Sequence, residues 1–390
     1  MIERPTVGFA MRAFLARTET FVHNQFVSLE RYHPVVLAHQ RRPSTDVELT
    51  DGAIARELLP RALARVDELT YRAARQPLPA AMAALARYAR QRDTRLLHFH
   101  YLTDLRFLLG LQRRLQLPAV VSAYGYDVSS FPLMARGLGL RYLRQAFDSV
   151  ELFLAMSEDM RRDLIGLGCP EARVRVHYYG SDTRRFVWPE RDYAPQRTLN
   201  VLCCGRLHEA KGQHLVLAAL HELEGRGVND FRVTIVGEGP LRPRLEAMVK
   251  DYGWQSRVSF TGHVRYASEE LVRHFRQADI CAHPSITVGG LKEGIPGTIV
   301  EAMASGLPVV ATRHAGIPAV IDDGEQGLLI PERDAGALAG ALARVLTDPS
   351  QRQRLGEAAA LRAATELDLR TRTKALEQIY DELLARPSHD

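Results

Sequence analysis

Short apolar runs alternate with longer helix-patterned stretches along the whole chain, and this alternation limits its fold more than any other feature. In the first half the strand-like runs are Val7–Ala10, Val35–Ala38, Leu96–Phe99, Ala119–Ser122, Leu152–Met156 and Val174–Tyr178. In the second half they are Leu199–Cys204, Val233–Val236, Val258–Thr261, Ile280–His283, Val309–Thr312 and Leu328–Ile330. Segments such as Asp104–Leu115, Glu158–Leu167, Gln213–Gly225 and Leu241–Tyr252 carry helical spacing between them. Continuous short apolar runs separated by helices predict parallel sheets covered on both faces. Two such sets predict an α/β chain of two doubly wound, Rossmann-like domains. The 390 residues are enough for two cores. Phe186–Thr198, with Pro189 and Pro195, follows neither period and reads as the linker. The expected division is 1–190, 191–368 and 369–390, the last holding a helix over Leu369–Leu384 that packs back on the first domain. Ligands of doubly wound sheets bind beyond the carboxyl ends of the strands. Two such domains would face each other across a cleft, with one reactant on each side.

Composition narrows the class. No run of eighteen apolar residues occurs, so no membrane span is predicted. The N-terminus lacks an apolar signal core, which predicts a cytoplasmic protein. Cys169, Cys203, Cys204 and Cys281 form no Cys-x-x-Cys pair and are expected to be buried and reduced. Residues 1–190 hold 27 Arg, no Lys and 20 acidic residues, a charge of +7, against −2 for the remainder. A basic first half suits peripheral contact with the anionic inner face of a membrane, or an acidic acceptor. An arginine-rich solvated surface is the simpler reading and the favoured one. No nucleic-acid module signature is present, so no nucleic-acid partner is expected.

The segment Lys292–Thr312 carries the most chemistry. It places Glu293 and Glu301 around a Gly/Pro-rich loop that runs into a short helix. Pro296 and Gly297 stand where that helix should begin, and Gly306 where it should end. A helix start offers free N–H groups and partial positive charge, which suits a diphosphate. Ionised glutamates only accept hydrogen bonds, so they suit hydroxyls. A ligand with phosphate in the middle and hydroxyl-rich parts on either side has the layout of a nucleotide sugar.

Other strand ends add to this. Gly205-Arg206-Leu207-His208-Glu209-Ala210-Lys211-Gly212 places two cations around a turn, where they suit phosphate oxygens. Solvated cations at a strand end are the alternative. Gly237, in Val236–Pro240, allows close approach to a ligand or simply a tight turn. Thr261-Gly262-His263-Val264 could lie beside a nucleotide base through its backbone. In the first half, Ala16–Val22 (with Thr20), His98 and His100, and Tyr124-Gly125-Tyr126-Asp127 all leave strand ends. Metal binding by His98 and His100 lacks a third ligand nearby.

These residues resemble the retaining glycosyltransferases of family four, which have the GT-B fold. The resemblance rests on Gly205-Arg206-Leu207 through Lys211-Gly212, on Gly237-Glu238-Gly239-Pro240, and on Glu293 through Glu301 with its following Glu-Ala-Met-Ala-Ser-Gly-Leu-Pro-Val-Val-Ala-Thr. It covers residues 199–335 densely. The first half matches more loosely, at Ala155–Glu158 and Tyr179–Asp182, and Thr18-Glu19-Thr20-Phe21-Val22 is similar to the polysaccharide-assembly branch. The resemblance implies an acceptor-binding first domain and a nucleotide-sugar-binding second domain. It implies that Arg206 and Lys211 hold the donor diphosphate, Glu301 the ribose hydroxyls and Glu293 hydroxyls of the transferred sugar. Backbone groups at Gly294, Ile295, Pro296, Gly297 and Thr298 would complete the donor site, with no metal or other cofactor. It also implies a front-face reaction in which the leaving phosphate takes the acceptor proton. Tyr124 stands where many relatives carry a histidine that contacts the donor sugar; Thr20, His100 and Asp127 would join it on the first-domain side.

The function expected is therefore retaining sugar transfer from a nucleotide diphosphate sugar, UDP by default, to a glycan, lipid-linked or small-metabolite acceptor. A phosphorylase, a nucleotide-sugar epimerase or a non-catalytic sugar-binding protein are the alternatives. A phosphorylase would need a pyridoxal-phosphate lysine, and the chain has only Lys211, Lys250, Lys292 and Lys374.

Overall fold

The computed structural model describes residues 4–14, 20–41, 51–74, 76–187, 191–195 and 197–386, without the side chains of 135–137. The chain divides into two units, Met1–Tyr179 with Leu369–Asp390, and Gly180–Asp368.

The first unit holds β1 (Thr6–Phe14), β2 (His33–Arg41), β3 (Gly52–Ile54), β4 (Thr94–His100), β5 (Ala119–Ser122), β6 (Leu152–Ala155) and β7 (Val174–Val176). They form one parallel sheet in the order β3-β2-β1-β4-β5-β6-β7. The order reverses between β1 and β4, where Phe9 lies beside His98. β3 is absent from the sequence reading because three residues are too few to show a period. The helix Leu369–Leu384 packs Leu376, Ile379, Tyr380 and Leu383 into the same core as Val7, Phe9 and Leu96. Its buried Glu377 accepts the backbone N–H groups of Glu30 and Arg31, each at 2.7 Å. Tyr32 donates its hydroxyl to Asp381 at 2.7 Å.

The second unit holds β8 (Leu199–Cys204), β9 (Phe231–Val236), β10 (Val258–Gly262), β11 (Ile280–His283), β12 (Val309–Thr312) and β13 (Gly327–Ile330). These too are all parallel, in the order β10-β9-β8-β11-β12-β13. Helices Gln213–Gly225 and Ala335–Thr347 pack together and place Val216, Leu220, Leu342 and Val345 in one core with Val201 and Cys203 of β8. All four cysteines are buried and free. Burial pushes the Cys169 and Cys203 thiols up to about 12, which leaves them unreactive near neutrality.

The boundary expected at residue 190 lies instead at Tyr179/Gly180. The reason is packing that no periodicity reports. Phe186 is fully buried against Phe275, with ring centroids 5.1 Å apart. Its carbonyl accepts the Ser305 hydroxyl at 2.8 Å, and Thr183 donates to Asp368 at 2.8 Å. The segment that reads as a linker therefore begins inside the second unit. Residues 188–190 and 196 of that segment lie outside the described residues, as do 16–19 of the motif that leaves β1.

Candidate functional site

In the second unit the strand order reverses between β8 and β11, so the carboxyl ends of these two strands mark the place for a ligand. β8 runs into Gly205 and the exposed Arg206, whose guanidinium has no partner among the described residues. A short turn over Glu209–Lys211 then brings Lys211 back. A Cβ built on Gly205 would lie 3.9 Å from the Lys211 side chain and 4.0 Å from His283, so the three converge. Gly237 has a different role: a Cβ there would come within 2.1 Å of the Gly205 carbonyl oxygen. Its backbone, at φ 130°, lets two strand-end turns touch, which favours the tight-turn reading over ligand approach.

After β11 the chain loops through Ser285 and Glu293 to the helix Gly297–Ala304. Pro296 caps it with no side-chain bond; its carbonyl takes the Ile299 N–H at 3.0 Å, which leaves the N–H groups of Gly297 and Thr298 for an anion. The helix ends as a Schellman motif. Gly306 N–H donates to Met303 at 2.9 Å and Leu307 N–H to Ala302 at 3.0 Å.

Glu293 is the hub. Its Oε1 lies 2.7 Å from Lys211 Nζ, and its Oε2 accepts the Ser285 hydroxyl at 2.9 Å. His283 Nε2 stands 3.7 Å from the same Oε2. Burial alone would raise the Glu293 carboxyl, but Lys211 and His283 reverse this and hold it well below the usual carboxylate range. Glu301 behaves oppositely. It is 6% exposed on the next helix, and burial pushes its carboxyl up to about 7, with Arg185 as a weaker opposing influence. The expected site residues Gly205, Arg206, Lys211, Glu293, Gly294–Thr298 and Glu301 thus belong to one sheet edge. His263 is exposed and Val264 half-buried in the loop after β10, two strands from the switch point.

Sequence reasoning missed His283, Ser285, His314 and Glu332. His283 ends β11, so the rule that singled out Arg206 would also have found it. His314 and Glu332 carry no motif signal, and only the fold brings them beside Glu293, whose N–H donates to His314 Nε2 at 3.1 Å.

The first unit corrects one expectation and complicates another. Asp127, expected among the first-domain cleft residues, is fully buried. Its carboxylate accepts the N–H groups of Leu102, Tyr124 and Gly125 at 2.9, 3.0 and 3.0 Å. Two local N–H groups and that of Leu102, 25 residues earlier, occupy it, so it ties the turn after β5 to the end of β4 and offers nothing to a ligand. His100 is 1% exposed and lies between Phe9 and His98, with ring centroids 4.9 and 4.3 Å away. Burial holds it neutral. Its Nδ1 shares a 2.7 Å hydrogen bond with the Tyr124 hydroxyl. Tyr124 is half-buried among Phe21, Tyr101 and Tyr179. Thr20 opens the helix Thr20–Val27 and is half-buried. His98 Nδ1 and Nε2 are occupied by Tyr380 and Ser122, at 2.6 and 2.8 Å. Tyr124→Phe is expected to strand a buried imidazole nitrogen and cost about 1–3 kcal/mol of stability. An unchanged melting temperature would show that His100 finds another partner.

Two parallel, Rossmann-like sheets are the units of which GT-B proteins are built, and comparison with known proteins supplies the class. A model of Glycosyltransferase Family 4 matches residues 19–185, and one of group 1 glycosyl transferases matches 198–348. The amylovoran biosynthesis glycosyltransferase AmsK of Erwinia amylovora is 32% identical over 75% of this chain and 70% of its own length. A GDP-mannose-dependent alpha-(1-6)-phosphatidylinositol monomannoside mannosyltransferase of Mycolicibacterium smegmatis is 31% identical over 78% of this chain and 80% of its own. The chain belongs to glycosyltransferase family 4. It spans about half the length of the proteins called WcaL from Salmonella typhimurium and Escherichia coli, 53% and 48%, at 36% and 37% identity. Among solved structures, Anabaena HepE in complex with UDP and glucose shares the fold, with a TM-score of 0.76 and 17% identity over 97% of this chain and all of that one.

Proposed function

We propose that the chain is a retaining glycosyltransferase that moves a sugar from a nucleoside diphosphate donor, UDP favoured, to a glycan, lipid-linked or small-metabolite acceptor. The Lys211–Glu293 pair beside an open helix start carries this reading. A lysine ammonium has three N–H donors, so Lys211 can keep Glu293 and still hold a phosphate oxygen. The sugar would then lie against Glu293 and the diphosphate against Lys211, Arg206 and the first turn of Gly297–Ala304. As the acceptor hydroxyl oxygen bonds to the anomeric carbon and the sugar–phosphate bond breaks, that bond's electron pair passes to the phosphate oxygen, which takes the acceptor's proton. Fixed positive groups stabilise that charge without reorganising. The buried Glu301 suits the ribose hydroxyls. AmsK is named for amylovoran biosynthesis, which supports a biosynthetic acceptor.

HepE was solved with UDP and with UDP-glucose, whereas the mycobacterial relative is named for GDP-mannose, so the test compares both bases. UDP-sugars at a hundred times their dissociation constant are expected to stabilise the protein by about 2.7 kcal/mol. Turnover to UDP is expected to persist in EDTA, because Arg206, Lys211 and a helix start take the place of a metal, and the product should keep the donor's anomeric configuration by NMR. A shift with GDP-sugars alone would reassign the base. Turnover lost in EDTA and restored by manganese would overturn the phosphate chemistry, and no shift with any nucleotide would overturn the whole reading.

The partner surface is read from the first unit. No helix among the described residues is long and apolar enough to cross a membrane. Helix Arg61–Ala74, however, exposes Leu63, Val66 and Leu69 at 42, 46 and 65%, together with Arg61, Arg65 and Arg72. Its one fully buried acid, Asp67, is occupied by His39, Arg56 and the Leu78 N–H. Arg72 is paired with Glu68, which leaves Arg61 and Arg65 as the cations of this outward apolar face; such a face suits the surface of an anionic membrane, where a lipid-linked acceptor would reside. Binding to phosphatidylglycerol vesicles but not to pure phosphatidylcholine is expected, weakened by salt and lost in Leu69→Glu. Binding to neither vesicle would remove the membrane from the partners.

A further inference from the structure

We infer that His314 is a positioning residue for sugar transfer, working with Glu332 to set where the Glu293 carboxylate stands. The inference rests on the glycosyltransferase reading and extends it to two residues beyond the motifs read from the sequence. His314 follows β12 and Glu332 follows β13, so neighbouring strand ends carry them. His314 is fully buried and both its ring nitrogens are engaged. Nε2 lies 3.1 Å from the Glu293 backbone nitrogen. A backbone N–H can only donate, so Nε2 must be the bare nitrogen and Nδ1 must carry the proton. That proton goes to Glu332 Oε1 at 2.7 Å. Glu332 is fixed in turn by the Thr287 N–H, at 2.7 Å to Oε2, and by the Thr287 hydroxyl, at 3.3 Å to Oε1.

Glu293 is thus held at two points. Lys211 and Ser285 hold its carboxylate, and His314 holds its backbone. Two points fix a direction where one fixes only a distance. Without His314 the carboxylate would stay paired with Lys211 while the loop that carries it shifts. The diphosphate contacts would remain, and the alignment of the sugar would not. Supporting partners of this kind orient a contacting group without touching the substrate.

The test measures turnover of a nucleotide sugar and, separately, affinity for the bare nucleoside diphosphate, which has no sugar for Glu293 to hold. His314→Ala is expected to lower kcat by about 10–100-fold, the scale of a misalignment of an ångström or less. The nucleoside diphosphate dissociation constant should change by less than about twofold, within the range of an unperturbed contact set. His314→Gln can accept from Glu293 N–H and donate to Glu332, and is expected to recover most of the loss. Nitrogen NMR of His314 in the wild type should show the Nδ1–H tautomer. Should His314→Ala not fold, Glu332→Ala, at the half-exposed end of the chain of bonds, should lower kcat in the same selective way. A folded His314→Ala or Glu332→Ala variant with wild-type kcat overturns the inference. So does a loss that falls equally on kcat and nucleoside diphosphate affinity and that His314→Gln does not recover, because that marks a structural role. A wild-type chain with no nucleotide-sugar turnover overturns the underlying reading instead.

Discussion

Lys211→Met is expected to lower kcat by about 10²–10³-fold, the scale of removing one preorganised charge from a leaving group. Nucleoside diphosphate affinity should weaken by about 1.5–3 kcal/mol, the worth of a charged hydrogen bond. Stability should fall too. Glu293 is only 15% exposed, and its 2.7 Å partner would be gone. Leaving one member of a largely buried ion pair behind costs up to about 3 kcal/mol, less whatever His283 recovers by taking a proton. The pH dependence has a definite sign. A carboxyl held below its usual value adds stability above about 4.5, its unfolded value, and loses it as pH falls toward the folded one. The wild type's advantage over Lys211→Met should therefore shrink as the solution is acidified below that point. Lys211→Met/Glu293→Gln should regain stability without regaining activity. Calorimetry showing nucleotide affinity and melting temperature both unchanged in Lys211→Met would remove the lysine from the site.

Glu301→Gln is expected to move stability and binding in opposite directions. The buried Glu301 carboxyl sits at about 7 against an ordinary 4.5. The stability its neutral form contributes is complete below 4.5 and lost as pH rises through 7, about 3 kcal/mol in all. At pH 8 the glutamine variant should be more stable than the wild type by up to about that amount. Nucleotide affinity should nonetheless fall, because ribose hydroxyls donate to an ionised carboxylate and an amide is a poorer acceptor. Wild-type affinity should climb between pH 6 and 8 as Glu301 ionises. The diphosphate gains charge over part of that range, so the profile of the variant serves as the correction. Parallel wild-type and variant profiles, with equal affinities at pH 8, would show that Glu301 meets no ribose.

The candidate site of the second unit was legible in the sequence because its residues lie close together there. Glu293, Gly297 and Glu301 sit within nine positions, and a helix that starts at Pro296 and closes at Gly306 obeys local rules of capping. Arg206 and Lys211 were found for a similar reason, since a continuous apolar strand delivers the next few residues to the edge of its sheet. The strand positions came from the same short-range patterning. β3 escaped it because three residues show no period. Phe186 escaped it because a single buried ring in a proline-containing stretch looks like any other linker residue.

The chain's order of residues determined the two parallel sheets, the switch point and the motifs at the strand ends, because each depends on contacts within a few residues or on a repeated period. The tertiary structure alone decided three other things. It turned Asp127 inward onto the N–H of Leu102, 25 residues earlier, and buried it, although its neighbours in sequence would suit a ligand-facing loop. It placed His100 beneath Tyr124 and made one depend on the other. It also carried His314 and Glu332, 21 and 39 positions beyond Glu293, to the atoms that hold Glu293 in place. Partners so far apart in sequence meet only when neighbouring strands of one sheet end together, and no local pattern records that meeting.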